Sequence, residues 1–318
     1  MEKTSNGKTS NEKLPFFFFV PYGVYMKLLF IYNPRAGKAK IRRNLLDIID
    51  IFTNAGFVVT AHPTQALGEV AEILERVKAA SYDLIVCSGG DGTLDCVVGG
   101  MMKQRINVPL GYIPAGTTND FARNLRIPSN MLTAAERICQ RNAFACDIGY
   151  LNDANFVYIA AFGLFTDVSY ETSQDIKNAI GQTAYILEGI KRLTDLSVCR
   201  MRVIAEAIEL EDDFIFGMVT NSISVGGFKN LTGKQVKLND GLFEVTLVKK
   251  PKNPLELNNL ITAMLKRNYN NELMHNFKTA KICFITNDEI PWTLDGEFGG
   301  RHANVTIRNI KQAIEIYC

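Results

Sequence analysis

Asp83-Leu-Ile-Val-Cys-Ser-Gly-Gly-Asp-Gly-Thr93 decides how this chain is read. The short apolar run from Asp83 to Cys87 predicts a buried strand. Glycines 89, 90 and 92 then let the backbone approach an anion, Asp91 adds a carboxylate that can reach a metal ion, and Thr93 stands at a helix start. A plain strand-to-helix turn needs one glycine, not three around an aspartate. Phosphate binding is the sharper reading of Ser88 to Thr93, and a purely structural turn the blander one.

The same rhythm extends on both sides. Lys27 to Tyr32 reads as a strand, Ala39 to Asn54 as a helix with Ile41, Leu45, Ile48, Ile49 and Phe52 on one face, Phe57 to Ala61 as a strand and Val70 to Ala80 as a helix. A helix from near Thr93 leads to a fourth strand, Val108 to Ile113. Strands alternating with helices predict a parallel sheet covered on both faces, with ligands beyond the carboxyl ends of its strands. After Ala143 the texture changes to strand-like runs separated by turns: Phe156 to Phe162, Met201 to Ala207, Phe214 to Asn221, Phe243 to Lys249, Lys281 to Thr286 and Asn304 to Arg308. Asn152-Asp-Ala-Asn and Asn239-Asp-Gly are turns between such runs. An antiparallel β domain is expected there, with one helix from Leu255 to Lys266 whose apolar stripe packs on it or touches a membrane.

With 318 residues, 47% of them hydrophobic and 21% charged, the chain suits two globular domains. The expected division is an α/β nucleotide-binding domain over 26–143, joined by 309–318, and a β domain over 144–308. A net charge of +2 gives no bulk electrostatic case for nucleic acid. Seven scattered cysteines with no C-x-x-C pair read as reduced thiols in the cytoplasm. The uncharged stretch from Leu14 to Met26, which contains two prolines, is too short to span a bilayer and has no cleavage site after it. Residues 1–25 are read as a disordered extension or a misassigned start.

Two more loops share the sheet edge. Asn33-Pro-Arg-Ala-Gly-Lys38 follows the first strand and is expected to open a helix whose N–H groups can bind phosphate, although Ala39 stands where a P-loop would carry Ser or Thr. Gly116-Thr-Thr-Asn-Asp120 follows the fourth strand with hydroxyls and a carboxylate. Capping explains Thr or Asn in one loop, but not three such loops together. Asp91 and Asp120, each beside a phosphate loop, are placed to hold magnesium directly or through water. Arg35, Lys38, Lys40, Arg42 and Arg43 supply positive charge with no acid between Lys27 and Leu46.

Asn33-Pro-Arg-Ala-Gly37, Gly89-Gly-Asp-Gly-Thr93, Pro114-Ala-Gly-Thr-Thr-Asn-Asp-Phe-Ala-Arg123 and Leu294-Asp-Gly-Glu297 resemble the successive motifs of the diacylglycerol kinase catalytic-domain family, which includes sphingosine and ceramide kinases. The resemblance runs from about Met26 to the C-terminus. The GGDGT piece alone is shared with NAD kinases and, loosely, phosphofructokinases; its combination with GTTNDFAR and a distal LDGE is far more specific. Asp95-Cys96 depart from the family's usual Asn-Glu.

The resemblance implies an α/β nucleotide domain followed by a β-sandwich, and ATP-dependent phosphorylation of a lipid hydroxyl at a membrane surface, with diacylglycerol the first choice. Kinase action on a soluble substrate such as NAD, or nucleotide binding without turnover, are the competing readings. By motif match ATP would be contacted by Asn33, Pro34, Arg35, Ala36, Gly37, Thr64, Gly90, Asp91, Gly92, Thr93, Leu94, Asp95, Cys96 and Thr117. A structural magnesium would sit at Asp240 and the carbonyls of Lys237 and Leu242, where the residues alone read equally well as an Asx turn. Asp295-Gly296 alone reads first as a hairpin turn. The resemblance makes Asp295, assisted by Glu297, the base for the lipid hydroxyl, with Asp91 and Asp120 completing the catalytic carboxylates. The implied protein is cytoplasmic, peripheral to the membrane, without a transmembrane segment, and able to form a homodimer.

Overall fold

The computed structural model describes residues 25–66, 68–77, 82–163, 198–206, 208–222, 224–225, 228–229, 236–265 and 271–318. Four strands, β1 (Met26–Tyr32), β2 (Phe57–Pro63), β3 (Leu84–Gly89) and β4 (Leu110–Pro114), pair in parallel in the order β2-β1-β3-β4. Every residue of β3 is buried, as the apolar run Leu84–Cys87 requires of a strand covered on both faces. Helices α2 (Ile41–Asn54), α3 (Glu69–Val77), α4 (Asp91–Gln104), α5 (Asp120–Asn124) and α6 (Met131–Cys139) accompany the sheet. Ile41, Ile48 and Phe52 form the buried stripe of α2, and Asn130 caps α6 by accepting N–H groups of Leu132 and Thr133, both at 3.0 Å.

The chain leaves β1 for β2 on one side, then crosses over to build β3 and β4 on the other. The topological switch point therefore lies at the carboxyl ends of β1 and β3, where loops diverge and leave a crevice. Asn33 N–H donates to Ser88 O at 2.8 Å across that point.

The remaining strands are β5 (Ala143–Leu151), β6 (Ala154–Phe156), β7 (Ile159–Gly163), β8 (Cys199–Ala205), β9 (Ile208–Thr220), β10 (Ser224–Val225), β11 (Phe228–Lys229), β12 (Phe243–Lys249), β13 (Met274–Thr279), β14 (Lys281–Leu294) and β15 (Glu297–Tyr317). β7 pairs with both β9 and β14, and β8 pairs with the other ends of the same two strands, so the pairing closes on itself. Phe162, Phe214, Phe284 and Trp292 are buried in the core of this part. It is not a separate sheet: β15 pairs with β14 and β5 and ends parallel to β4, at Ile316↔Leu110 and Tyr317↔Gly111.

Several expectations are corrected. The helix anticipated from Ala39 begins at Ile41; before it, α1 (Ala36–Ala39) is a turn with Gly37, Lys38 and Ala39 at φ of 52°, 62° and 57°, so the first loop does not open directly into a regular helix. The strand expected over Phe156 to Phe162 breaks at Val157-Tyr158. Lys281 to Thr286 and Asn304 to Arg308 are parts of the much longer β14 and β15. The predicted 255–266 helix is α7 (Pro254–Leu265), where Leu260 is buried with Ile215, Val248 and Met274. Residues 1–24 and Lys266 lie outside the described residues. Among the described residues no helix is long and apolar enough to cross a membrane.

Candidate active site

The three glycine-bearing loops meet at the switch point. A Cβ on Gly37 would sit 1.7 Å from Ala115 O, and one on Gly116 would lie 2.7 Å from Gly90 Cα. Larger residues would force the loops apart, which is the physical reason for glycine at these points. Asn33 organises the first loop: its Oδ1 accepts Arg35 N–H at 2.9 Å, and its Nδ2 reaches Thr93 Oγ1 at 3.5 Å. In the third loop Asn119 Oδ1 accepts Gly116 N–H at 3.0 Å, and Tyr112 OH donates to Gly89 O at 3.1 Å beneath.

A cleft of about 230 Å³ opens between the first two loops, lined by Asn33, Arg35, Thr64, Gln65, Thr93 and Cys96 among others. Five of those six were anticipated from sequence; Gln65, one residue after Thr64, was not. Pro34 and Ala36 lead from Asn33 to Gly37, which begins the left-handed turn, Gly90 and Gly92 flank Asp91, and exposed Thr117 lies on the third loop. Leu94 and Asp95 do not line this cleft. The Leu94 side chain is in the hydrophobic core, and Asp95 Oδ1 accepts Asn155 Nδ2 at 3.2 Å on the other side of α4.

Asp91 begins α4, and its carboxylate accepts the N–H groups of Asp120 at 3.1 Å and Phe121 at 3.4 Å, capping α5. Burial, with the Asp120 carboxylate nearby, pushes its pKa up to about 6 against those two hydrogen bonds. Two neighbouring acids, with the Arg123 guanidinium close to Asp91, form a donor set that suits a hard, oxygen-seeking cation such as magnesium. Its chemistry there would be to neutralise phosphate charge.

Asp295 belongs to a hairpin. It and Gly296 are the two residues between β14 and β15, with φ of 50° and 92°, and Leu294 pairs with Glu297. That is a two-residue hairpin turn of the Asp-Gly kind. The Asp295 carboxylate nevertheless points inward, 7% exposed, and accepts backbone N–H groups of Val157, Tyr158 and Ile159 at 2.5, 3.0 and 2.9 Å. It thereby serves as the partner of the backbone that breaks between β6 and β7. Tyr158 OH also donates to Asp295 O at 3.1 Å. Burial raises the Asp295 pKa and the three N–H donors oppose the rise. Glu297 is exposed beside it.

Asp240 Oδ1 accepts Leu242 N–H at 3.1 Å, an Asx turn, and Oδ2 lies 3.6 Å from Lys278 Nζ. Among the described residues no group of three or more acids, histidines or cysteines could hold a metal ion, so ligation at Asp240 would draw on backbone carbonyls such as those of Lys237 and Leu242, and on water. Sequence reasoning missed Asp147, fully buried beside this turn, because one aspartate in an apolar strand carries no motif.

A family model for the diacylglycerol kinase catalytic domain matches residues 27–151. A diacylglycerol kinase of Staphylococcus carnosus is 32% identical over 288 residues, covering 90% of this chain and 93% of that protein. One from Staphylococcus aureus is 31% identical, covering 90% of each. Among solved structures, a diacylglycerol kinase from Bacillus anthracis covers 92% of this chain and 97% of its own at 22% identity and a TM-score of 0.72. A second crystal structure from that strain gives 24% identity, the same coverage and a TM-score of 0.78. Likeness at that identity supports the fold.

Proposed function

We propose, from the premise that this chain belongs to the diacylglycerol kinase family, that it transfers the γ-phosphate of ATP to the hydroxyl of diacylglycerol. Membership makes it an alcohol-acceptor phosphotransferase of the lipid-kinase class. The observation that carries the finer reading is the placement of an inward-pointing carboxylate, Asp295, against the helix that leaves the GGDGT loop. Asn33 to Gly37, Thr64, Gly90 to Thr93, Cys96 and Thr117 would hold the nucleotide. Asp91 and Asp120 would hold magnesium over its phosphates. Asp295 would accept the proton of the attacking hydroxyl as the O–P bond forms and the bond to ADP breaks, with exposed Glu297 at the entrance.

Phosphoryl transfer asks mainly for positioning and charge neutralisation, and the loops at the switch point offer both. The membrane surface and its lipid remain the proposed partner, and Asp240 with the Lys237 and Leu242 carbonyls the proposed structural magnesium site. The test is the purified chain with labelled ATP, magnesium and diacylglycerol in mixed micelles, the product read by mass spectrometry. Phosphatidic acid is expected. NADP from NAD, or bound nucleotide with no phosphorylated lipid, would overturn the reading.

A further inference from the structure

Asp95 belongs to none of the three loops, and it stands where the family usually carries asparagine. It lies in the first turns of α4, and its carboxyl group is in hydrogen-bond contact with that of Asp295, which links α4 to the β14–β15 turn. Two carboxylates in such contact cannot both stay ionised in a buried setting; one must carry a proton and donate it to the other. The environments decide which. Asp295 takes three backbone N–H groups, which favour its anion, whereas among the described residues Asp95 takes the Asn155 amide and faces Glu297 as well as Asp295. The shared proton therefore belongs on Asp95.

Asn155 is held close by a separate feature of α4. A Cβ on Gly99, one helical turn beyond Asp95, would meet Asn155 Oδ1 at 2.6 Å, so glycine is what lets this amide lie against the helix. Asn155 on β6, Asp95 on α4 and Asp295 on the hairpin thus form one chain of polar contacts. It joins the helix of the phosphate loop to the carboxylate that faces the acceptor.

We propose that Asp95 is a positioning residue: by donating its own carboxyl proton to Asp295, it fixes the proton-accepting carboxylate against the helix that carries the GGDGT loop. The inference rests on the reading of Asp295 as base. Asp95 keeps its proton throughout; the hydroxyl proton of the lipid goes to Asp295. Asparagine at 95 would give the same donor through its amide, so this chain and its relatives would meet one requirement with different chemistry. The difference is that a carboxyl donor fails once it ionises. Besides Asp295 and Glu297, the titratable groups facing Asp95 among the described residues are Cys96 and Tyr158, both with pKa values raised by burial, so neither supplies a compensating charge. Loss of the Asp95 proton would set two anions against each other, and turnover would fall on the alkaline side.

The experiment compares Asp95→Ala, Asp95→Asn and Asp295→Asn in the full chain, with kcat and KM for ATP measured across pH and folding followed by thermal unfolding. Asp95→Ala is expected to lower kcat roughly tenfold or more with little change in KM for ATP. The natural chain is expected to lose kcat on the alkaline side; Asp95→Asn is expected to recover most of the loss seen in Asp95→Ala and to remove that alkaline fall. Wild-type kcat in Asp95→Ala alongside an inactive Asp295→Asn would overturn the inference and leave the base standing. Wild-type kcat in Asp295→Asn would overturn both. Should Asp95→Ala not fold, an unchanged alkaline limb in Asp95→Asn alone is enough to reject the proposal.

Discussion

Asp91 shows how a single carboxylate can be legible in sequence for one property and opaque for another. Its place among glycines announces an anion site, but nothing in GGDGT says that its oxygens cap a helix 29 residues later. Its pKa, raised by burial from 3.8 to about 6, fixes the sign of a pH effect. Between those values the folded state holds the proton more tightly than the unfolded chain, so stability without metal falls as pH rises through that window, by about 3 kcal/mol at most. Magnesium should offset the fall by favouring the anion. Asp91→Asn should flatten the pH dependence, remove the part of the magnesium response that grows with pH across this window and reduce kcat by about a hundredfold or more. Thermal melts from pH 4 to 7, with and without magnesium, check this; a wild-type profile that is already flat would count against it. Asp295 was visible through its motif, but its backbone partners Val157, Tyr158 and Ile159 were not, because backbone N–H groups have no sequence signature.

Elements buried on both faces were the most legible. β3 and β1 are built on the apolar runs Leu84–Cys87 and Leu28–Tyr32, and α2 has a clear stripe, so the pattern of apolar residues places them. The long β14 and β15 were read only in part, because strands that switch partners change which face is buried along their length: β14 pairs with β8 through Ile282–Thr286 and with β7 only from Trp292. The break at Val157-Tyr158 was illegible for a related reason: a side chain 137 residues away satisfies it. At this scale the hairpin is the element to perturb. Gly296 has a φ of 92° and no atom within 4 Å of where a Cβ would be, so alanine there tests backbone strain without a clash. Gly296→Ala should destabilise by about 1–3 kcal/mol and should lower kcat as the turn shifts Asp295. If the melting temperature drops while kcat holds, the turn geometry does not set the position of the base.

Across the whole molecule, β15 is the member common to both halves. It starts at the Asp295-Gly296 hairpin, pairs with β14 and β5, and finishes beside β4 in the parallel sheet, with Ile316 fully buried there. The ladder shifts register between Ile310 and Ile314, where Gln312 has a φ of 52°. Buried Asp147 secures that bend: its carboxylate accepts Gln312 N–H at 2.7 Å, Gly241 N–H at 2.7 Å and Asn309 Nδ2 at 3.4 Å. A strand pinned in this way should transmit unfolding from one half to the other, so the natural chain should melt in one cooperative transition despite its length. Removing the acceptor in Asp147→Ala would leave these donors unsatisfied at the bend, each at about 1–3 kcal/mol, and would free the last turns of β15. Ending the chain after Gln312 would remove the pairing with β4 altogether. Both variants should show two calorimetric transitions, of which ADP with magnesium raises only the one belonging to the nucleotide sheet, since a ligand stabilises just the unit it binds. Two transitions in the natural chain, or a single one in both variants, would mean that the halves are coupled by something other than this strand.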